Sequence, residues 1–491
     1  MTGPLTLSRQ VRSVLRDAID CYRDSPQTKL GLQRYLDRLD EPLRVAIAGK
    51  VKAGKSTLLN ALVGEQIAPT DAGECTRVVT WYRDAPTPRI TLNAKSGALR
   101  QLPVVRVQGR LEIDLQATPP EDIERLLIDW PSQSLRVATL IDTPGIASLS
   151  TTTSARTTAL LMPEDEPTAA DAVLYLMRHL HATDVRFLEA FHDRGVARAT
   201  PLNTIAVLSR ADEIGVGRID AMMSARRVAR RYRDDGKLRE LCQGVVAVAG
   251  LLAQTARTLR QAEVVALTEL AAVPRAELER TLLSADRFTQ ADAAVPLPVQ
   301  VRVALLDRFG MFGIRLGTSL IQRDGHDAAS LAAELVRRSG LTELQEILAV
   351  QFTERRDMLK ARSALLAIER VLAEQPRPGS DKLAGEVERI LAGAHEFREG
   401  RLLAALRSGA VSLPAPVLAE AQRLLGGQGA APALRLGLDE AAHPEDLRAA
   451  ALASLGRWQR RAESPLSTRT VVDACRVVVR SCEGLLAHLP G

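Results

Sequence analysis

Hydrophobic and polar positions follow two different patterns along the 491-residue chain. Short apolar runs, each followed by a polar loop, occur between residues 41 and 255, and they predict strands that alternate with helices in a mostly parallel sheet covered on both faces. Residues 256–491 instead carry apolar side chains at three- and four-residue steps, which is typical of amphipathic helices. Residues 1–40 share this helical spacing. We therefore predict an α/β domain at 41–255 and a long α-helical bundle or stalk, formed by the N-terminal helix (1–40) together with 256–491.

The first apolar run, residues 45–48, leads into a glycine-rich loop with the complete pattern G-x-x-x-x-G-K-S/T. Gly49 and Gly54 allow a tight turn whose backbone N–H groups point at phosphate groups. Lys55 would reach the β- and γ-phosphate oxygens, and the Ser56 hydroxyl would bind Mg²⁺. The residues of the loop are Gly49, Lys50, Val51, Lys52, Ala53, Gly54, Lys55, Ser56 and Thr57. The loop predicts a binding site for a nucleoside triphosphate.

A second motif, Asp142-Thr143-Pro144-Gly145, follows the apolar run 136–141, which is typical of a buried strand. It matches the Asp-x-x-Gly signature of GTPases. Asp142 would hold Mg²⁺ through water, and the Gly145 N–H would meet the γ-phosphate. The same tetrapeptide is a good turn sequence by itself. Its place about ninety residues after a phosphate loop favours the GTPase interpretation.

A polar, turn-rich stretch at residues 68–77 lies between these two motifs. It suits a switch segment that becomes ordered around Mg²⁺ and the γ-phosphate. We select Thr76 as the threonine that binds magnesium, with its carbonyl positioning the attacking water. Thr70 and Thr80 are the alternatives.

Base recognition is expected at Ser209-Arg210-Ala211-Asp212, which follows the apolar run 204–208. The usual pattern is Asn/Thr-Lys-x-Asp, so Ser209 and Arg210 depart from it. Asp212 could accept both N–H donors of the Watson–Crick edge of guanine, and the Arg210 stem could lie on the base. A salt-bridging surface loop is the alternative. A further short strand ends at Ala249, whose N–H is a candidate contact to the base.

Four segments of the chain resemble a known family, the bacterial dynamin-like proteins, and within it the isoniazid-inducible dynamin-like group and its shorter member. The segments are residues 49–64, 67–71, 209–215 and 308–315. The resemblance spans nearly the whole chain. It implies an enzyme that binds and hydrolyses GTP with Mg²⁺, forms a homodimer through its GTPase domain, and moves its stalk to remodel or maintain a membrane. A longer, membrane-contacting dynamin-like protein is an implied partner.

The same resemblance draws attention to Val51 and Lys52, because eukaryotic dynamins carry a Gln-Ser pair at these positions. Val51 cannot orient an attacking water. Lys52 could instead supply a positive charge near the bridge between the β- and γ-phosphates, or stabilise a partner across a dimer. A solvated Lys52 is the alternative. The candidate catalytic residues are Lys52, Lys55 and Thr76.

Composition and charge agree with a membrane-associated protein. The chain has 65 Lys+Arg against 59 Asp+Glu, a formal charge of +6, which suits an anionic membrane surface. This charge is too dilute, and the aromatic fraction of 3% too low, to favour nucleic acid. The dense basic cluster at 226–233 is typical of a solvated helix face. No apolar segment approaches the ~20 residues of a membrane span and no signal peptide is apparent, so we expect a cytoplasmic protein, peripherally associated with the inner face of the cell membrane.

Two other function classes stay open at this point. A regulatory P-loop GTPase in RNA- or ribosome-associated assembly would carry a small basic module after Gly250, and the helical tail shows none. A P-loop protein that uses ATP rests only on Ser209 and Arg210. In the helical half, Gly310 and Gly313 lie within an apolar helix, where they indicate either a hinge between GTPase domain and stalk or close helix packing.

Overall fold

The computed structural model describes most of the chain. The described residues are 6–70, 78–116, 118–144, 170–193, 203–215, 217–325 and 327–489. The strands are β1 (Leu43–Gly49), β2 (Thr80–Asp84), β3 (Arg89–Ala94), β4 (Leu99–Leu102), β5 (Val105–Val107), β6 (Arg110–Glu112), β7 (Ile123–Trp130), β8 (Ala138–Asp142), β9 (Ala172–Met177), β10 (Thr204–Ser209) and β11 (Val245–Val248). All of these strands lie before residue 249.

Helices connect these strands and then make up the second half. They are α1 (Leu7–Cys21), α2 (Pro26–Arg38), α3 (Lys55–Val63), α4 (Gln133–Val137), α5 (Ala182–Asp193), α6 (Ala221–Asp234), α7 (Gly236–Leu241), α8 (Gly250–Arg257), α9 (Gln261–Ala271), α10 (Arg275–Thr281), α11 (Ala285–Thr289), α12 (Val299–Asp324), α13 (Ala328–Arg338), α14 (Leu341–Leu348), α15 (Arg356–Glu374), α16 (Ser380–Gly393), α17 (His395–Ser408), α18 (Ala415–Leu424), α19 (Pro432–Leu436), α20 (Pro444–Ala462) and α21 (Arg469–His488). A π-helical turn, Ala349–Thr353, joins α14 to α15.

Nine of the described strands form one sheet in the order β11-β10-β9-β1-β8-β2-β7-β3-β4. β1 lies between β8 and β9 and is parallel to both. β9, β10 and β11 are also parallel to one another, and each buries every residue, because helices cover both faces of this part of the sheet. The far side of the sheet differs, since the pairs β2–β8, β3–β7 and β3–β4 are antiparallel.

One boundary in this sheet departs from the sequence-based expectation. The apolar run 136–141 predicts a strand, but β8 begins at Ala138, and Arg136 and Val137 belong to the short helix α4. The reason is exposure: 47% of Val137 is accessible to solvent, so this residue does not share the burial that a central strand requires. β8 still delivers Asp142 at its end, where the parallel strand β1 carries the glycine-rich loop.

Three hydrophobic cores organise the described residues. The first joins one face of the sheet to α1, α2, α15 and α16, the second joins the other face to helices α8–α13, and the third lies among α17–α21. The N-terminal helices therefore pack with the C-terminal half, as their pattern predicts. The Tyr22 hydroxyl at the end of α1 donates a hydrogen bond to the Gln375 carbonyl oxygen at 2.6 Å. Among the described residues, none of the helices combines the length and the apolarity needed to cross a bilayer.

The two glycines of α12 have different roles in the backbone. Gly310 has φ 60° and ψ 174°, a conformation that bends the helix and that side chains disfavour. Gly313 keeps a helical conformation, but a Cβ built there would lie 3.1 Å from Leu252 Cδ1 and 3.0 Å from Phe309 Cβ. The structure therefore shows close packing at Gly313 and a bend at Gly310, and a hinge between GTPase domain and stalk stays a prediction.

Candidate nucleotide-binding site

The glycine-rich loop begins at the last residue of β1 and ends where α3 begins. Gly49 has φ +147°, and a Cβ there would lie 2.4 Å from the Leu176 carbonyl oxygen on the adjacent strand β9. Gly54 is the residue before α3 and has φ +91°, in the left-handed region. Both glycines are thus required by backbone geometry. The loop presents the N-terminal end of α3, which favours an anion.

Lys55 is the first residue of α3 and its ammonium group lies inside the curve of the loop. Its Nζ donates to the carbonyl oxygens of Gly49 at 3.3 Å and Lys50 at 3.4 Å. Burial lowers the pKa of Lys55, while the nearby Asp142 carboxylate opposes this shift. The loop therefore holds a cation at its centre, as binding of a phosphate requires.

Ser56 and Asp142 form the second part of the site. The Ser56 Oγ donates to Oδ2 of Asp142 at 2.7 Å, and the other oxygen, Oδ1, is buried without a hydrogen-bond partner among the described residues. Burial raises the pKa of Asp142, whereas Lys55 and the Ser56 hydrogen bond lower it. A hydroxyl and a carboxylate with a spare oxygen are the oxygen ligands that Mg²⁺ prefers, so the residues present fit this ion.

The base-recognition motif lies on a short 3₁₀ turn, Ala211–Glu213, directly after β10. Oδ1 of Asp212 is buried without a partner among the described residues, and burial raises the pKa of this carboxyl group. Arg210 donates to Oε1 of Glu213 at 2.7 Å, and Ser209 donates to the Met177 carbonyl oxygen at 3.3 Å. Arg210 is thus engaged in a salt bridge, as the surface-loop alternative expects, and the role of Asp212 in base recognition stays a prediction.

The backbone N–H of Ala249 has a different partner in the structure from the one that the sequence predicts. The sequence assigns its N–H to the base, but in the structure this N–H donates to the Ser339 carbonyl oxygen at 2.9 Å. Ser339 lies between α13 and α14 and is fully buried. A contact from Ala249 to a base would require this hydrogen bond to open, because a single N–H cannot make both good bonds at once.

The remaining predicted residues divide into those that the structure describes and those that it does not. Val51 and Lys52 are exposed at the tip of the loop, and Lys52 has φ 62°. Ala53 is buried and its N–H donates to the Lys50 carbonyl oxygen at 3.1 Å, while Thr57 is half-buried in α3. Thr76 and Gly145 lie outside the described residues. The structure thus brings the loop and Asp142 together, with Asp212 two strands away at the same edge of the sheet.

Asp184, at the start of α5, is a residue of this site that the sequence pattern does not reveal. Its Oδ2 accepts from Nζ of Lys50 at 3.0 Å and from the His181 N–H at 3.0 Å, and its Oδ1 accepts from the Tyr175 hydroxyl at 2.8 Å. The only sequence signal is an acidic residue in a first helical turn, which predicts a cap. That signal does not indicate a partner in the glycine-rich loop.

Comparisons with known proteins agree with this geometry. Residues 45–210 match the model of the dynamin family. The chain is 45% identical over 490 residues to isoniazid-induced protein IniC of Mycobacterium tuberculosis, with 99% of both chains covered. It is 34% identical over 150 residues to isoniazid-induced protein IniA of the same species, which covers 29% of this chain and 22% of IniA. It is 29% identical over 144 residues to a bacterial dynamin-like protein of Nostoc punctiforme, covering 25% and 20% of the two chains.

Solved structures of an oligomerised bacterial dynamin pair are also similar to this chain. One has a TM-score of 0.36 at 13% identity and covers 99% of this chain and 76% of its own. A second has a TM-score of 0.31 at 13% identity, covering 98% and 74%. Similarity at this level adds nothing to the assignment, which depends on the sequence relatives.

Proposed function

The chain belongs to the dynamin family, within the bacterial isoniazid-inducible dynamin-like group, and on this premise we propose that it binds GTP with Mg²⁺, hydrolyses it to GDP and phosphate, and uses the cycle to remodel or maintain a membrane. A dynamin-like GTPase is what the family membership supports directly. The roles of individual residues and the membrane function are the parts that we propose here.

One observation carries the nucleotide part of the proposal. Two carboxylate oxygens, Oδ1 of Asp142 at the end of β8 and Oδ1 of Asp212 in the turn after β10, are buried and have no hydrogen-bond partner among the described residues. They lie on either side of β1 and its loop. An unsatisfied buried polar group costs about 1–3 kcal/mol, so such groups need a reason. A divalent cation opposite Asp142 and the two N–H donors of guanine opposite Asp212 would satisfy both oxygens.

We assign the phosphate-binding role to residues 49–57. Lys55 binds the β- and γ-phosphate oxygens, and the backbone N–H groups of the loop orient them. Ser56, Asp142 and Thr76 would hold Mg²⁺, which when bound neutralises charge on the phosphates. The exposed Lys52 adds positive charge where negative charge develops during hydrolysis. Thr76 also positions the attacking water, and the Gly145 N–H senses the γ-phosphate.

The base-binding role falls to Asp212, with the stem of Arg210 alongside the base and Ser209 supporting the turn. The Ala249 N–H contributes only if its hydrogen bond to Ser339 opens. A carboxylate that accepts two N–H donors selects guanine, because adenine presents an acceptor at one of these positions.

For the whole chain we propose a GTPase domain at 41–255 and a stalk built from 1–40 and 256–491. The domain would dimerise through its nucleotide face, where Lys52 is exposed. The stalk would pass the conformational change to an anionic membrane at the inner face of the cell membrane, directly or through a longer dynamin-like partner. The contact of α1 with α15 and α16 supports a stalk that includes the N-terminal helices.

The test combines GTP binding, turnover and vesicle stimulation in one set of variants. We expect Lys55→Ala to abolish binding of a fluorescent GTP analogue, and Lys52→Gln to preserve binding but slow turnover by roughly tenfold or more. Lys29→Gln, at an exposed position of α2, is the control. Unchanged GTP affinity in Lys55→Ala would overturn the site, and ATP competing as well as GTP would overturn the guanine assignment. Turnover that anionic vesicles do not raise, alone or with a longer dynamin-like protein, would overturn the membrane role.

A further inference from the structure

Helix α6 carries the basic cluster at 226–233, for which the proposed function gives no explanation. Its 14 residues include five arginines and one aspartate, a net charge of +4. The arginines are Arg226, Arg227, Arg230, Arg231 and Arg233. Neither the proposed nucleotide site nor the packing of the sheet requires so many cations.

The apolar and basic residues of α6 lie on opposite sides. Ala221, Met222, Ala225 and Ala229 are buried, on the side that packs against β11. With 3.6 residues per turn, the opposite side carries Met223, Arg227, Arg230 and Arg231, which are all exposed. Ile219 lies two residues before the start of α6 and is also exposed.

We call Ile219, Met223, Arg227, Arg230 and Arg231 the basic face. Its two apolar members are unusually accessible for large side chains, with 55% of Ile219 and 60% of Met223 exposed to solvent. The face is therefore amphipathic in its own right, with two apolar side chains beside three guanidinium groups.

The carboxylates around the basic face are engaged elsewhere. Asp220 pairs with Arg218 at 3.2 Å and Glu343 pairs with Arg226 at 3.6 Å. Asp235 accepts hydrogen bonds from the N–H groups that begin α7. Within the part of the chain that the structure describes, no ion pair involves Arg227, Arg230 or Arg231, and the Arg231 guanidinium lies 6.0 Å from the centroid of the Tyr232 ring. Their charges are available to a partner.

We infer that the basic face docks onto an anionic lipid surface. This inference rests on the proposed membrane function and places the contact with lipid at α6, the helix that packs against β11. Arginines near a membrane are attracted to anionic headgroups. Exposed apolar side chains on the same side can enter the boundary between headgroups and acyl chains. The combination of Ile219 and Met223 with three exposed arginines that form no ion pair among the described residues matches both requirements.

Nucleic acid is the other polyanion that this charge could attract, and the aromatic content of the helix argues against it. Tyr232 is half-buried and its hydroxyl accepts a hydrogen bond from the Leu180 N–H at 3.3 Å. It is therefore not free to stack on bases, which is how single-stranded nucleic acid is usually held.

The docking helix also contacts the turn Ala211–Glu213, which carries Asp212. A membrane bound at the basic face would therefore lie beside the base-recognition edge of the site. GTP binding must be measured in every variant, since this separates loss of docking from damage to that turn.

The first experiment is co-sedimentation of the full chain with phosphatidylcholine vesicles that contain or lack phosphatidylglycerol. We expect the triple variant Arg227→Gln, Arg230→Gln, Arg231→Gln to bind the anionic vesicles roughly 100-fold more weakly, because each arginine contributes about a fivefold factor. A control removes the same charge from exposed arginines elsewhere, with Arg9→Gln, Arg16→Gln and Arg448→Gln. Fluorescent GTP binding is expected to be unchanged in both triple variants.

Each outcome separates the inference from the proposed function. If the native chain sediments and the basic-face variant sediments equally, the inference is overturned while the membrane role stands. If the native chain does not sediment with anionic vesicles but still binds GTP, both the docking inference and direct membrane action are overturned. The GTPase assignment remains in that case. If single-stranded RNA displaces the vesicles or binds the face in their place, the surface is a nucleic-acid site and the inference is wrong.

A second variant, Met223→Trp, reports insertion directly. The native tryptophans, Trp81, Trp130 and Trp458, are buried, so a new tryptophan on the basic face dominates any fluorescence change caused by lipid. We expect a blue shift on addition of anionic vesicles and quenching by brominated acyl chains. Sedimentation without a shift would show that the basic face is not the surface in contact.

Discussion

The Nζ of Lys50, in the glycine-rich loop, lies 3.0 Å from Oδ2 of Asp184, at the start of α5. The Asp184 side chain is fully buried, whereas 33% of the Lys50 side chain is exposed. The Tyr175 hydroxyl and the His181 N–H also donate hydrogen bonds to the Asp184 carboxylate and so fix its position. The ion pair therefore links the loop to α5 and, through Tyr175, to β9. The Lys50 ammonium group thus anchors the loop, and its charge is directed at Asp184 more than at a phosphate.

Asp184→Asn tests this anchor. The amide has the size of the carboxylate but no charge to pair with Lys50, and it also weakens the hydrogen bond from Tyr175. Because Lys50 can turn toward solvent, we expect a loss of about 1–3 kcal/mol in the free energy of unfolding, less than for a pair buried on both sides. GTP affinity is expected to fall roughly tenfold, since the loop is no longer held in position. Urea denaturation and GTP titration measure the two effects.

A double-variant cycle controls for unrelated damage. Lys50→Met and Asp184→Asn combined are expected to cost less than the sum of the two single changes, because both remove the same ion pair. Strictly additive losses would show that the two residues act independently. Glu420→Gln breaks a 2.6 Å ion pair with Arg457, between α18 and α20, and is expected to leave GTP affinity unchanged.

Asp212→Asn is expected to exchange the base specificity. The asparagine amide cannot accept two donors, so GTP binding should weaken by roughly 100-fold, while xanthosine triphosphate should gain because its C2 carbonyl accepts from the amide. Competition of the two nucleotides against a fluorescent analogue measures the change, with Asp381→Asn as the exposed control. Equal GTP affinity before and after the substitution would remove Asp212 from the site.

The same substitution has a stability effect that depends on pH. Burial raises the pKa of Asp212, so the folded protein binds its proton more tightly than the unfolded chain does. The stability associated with the protonated carboxyl group is lost as pH rises through this raised pKa. Without nucleotide, Asp212→Asn should therefore gain stability relative to the native chain as pH rises. A constant difference across the acid range would contradict the burial of a charged carboxylate.

Lys360 gives a second pH-dependent prediction, at the junction of the N-terminal and C-terminal helices. From α15 its Nζ donates to the carbonyl oxygens of Arg38, at 2.5 Å, and of Glu41. Burial lowers the pKa of Lys360 from 10.5 to about 8. Between these two pH values the unfolded chain binds the proton and the folded protein does not, so the stability rises with pH.

We therefore expect the native chain to gain about 3 kcal/mol over Lys360→Met between pH 8 and the ordinary pKa of lysine. Urea denaturation of both proteins at neutral and alkaline pH gives the difference, in which other titrating groups cancel. Lys29→Met, at an exposed position of α2, should show no such trend. A difference that stays flat or falls with pH would show that the ammonium group of Lys360 is not desolvated.

The backbone at Gly310, where α12 bends, and at Gly385, in a regular helix, predicts opposite effects of alanine substitution on stability. Gly310→Ala forces a side chain into a conformation near φ 60° and ψ 174°, and we expect it to destabilise the fold by about 1–3 kcal/mol. Gly385→Ala meets no atom within 4 Å in the regular helix α16 and should stabilise by up to about 1 kcal/mol. Thermal denaturation of the two variants decides the matter. Equal effects would mean that α12 is straight in solution.

How much of this could be predicted depends on the distance between partners along the chain. The glycine-rich loop, Asp142 and Asp212 are recognisable because each motif is a run of adjacent residues next to an apolar strand, and parallel strands bring their carboxyl ends to one edge. The helical half is recognisable for a similar reason, since its periodicity is local. The start of β8 was misplaced by two residues, because exposure of Val137 is not visible in an apolar run.

Long-range partners could not be predicted in this way. Lys50 and Asp184 are 134 residues apart, and Lys360 is 322 residues from Arg38. The Ala249 N–H was assigned to a base, but Ser339 reaches it through the packing of α13 on α8. The sequence around each of these residues gives no sign of its distant partner.

The amino-acid sequence by itself determined the glycine-rich loop between β1 and α3, the acidic residues after the strands, and the division into an α/β half and a helical half. These features depend on backbone chemistry and on hydrophobic periodicity within a few turns of chain. Only the tertiary structure decided that Asp184 anchors Lys50, that Ser339 occupies the Ala249 N–H, and that the arginines of α6 face outward beside Met223. Such relationships depend on which distant segments share a buried surface, because side chains lose water and find partners only when the sheet and helices pack.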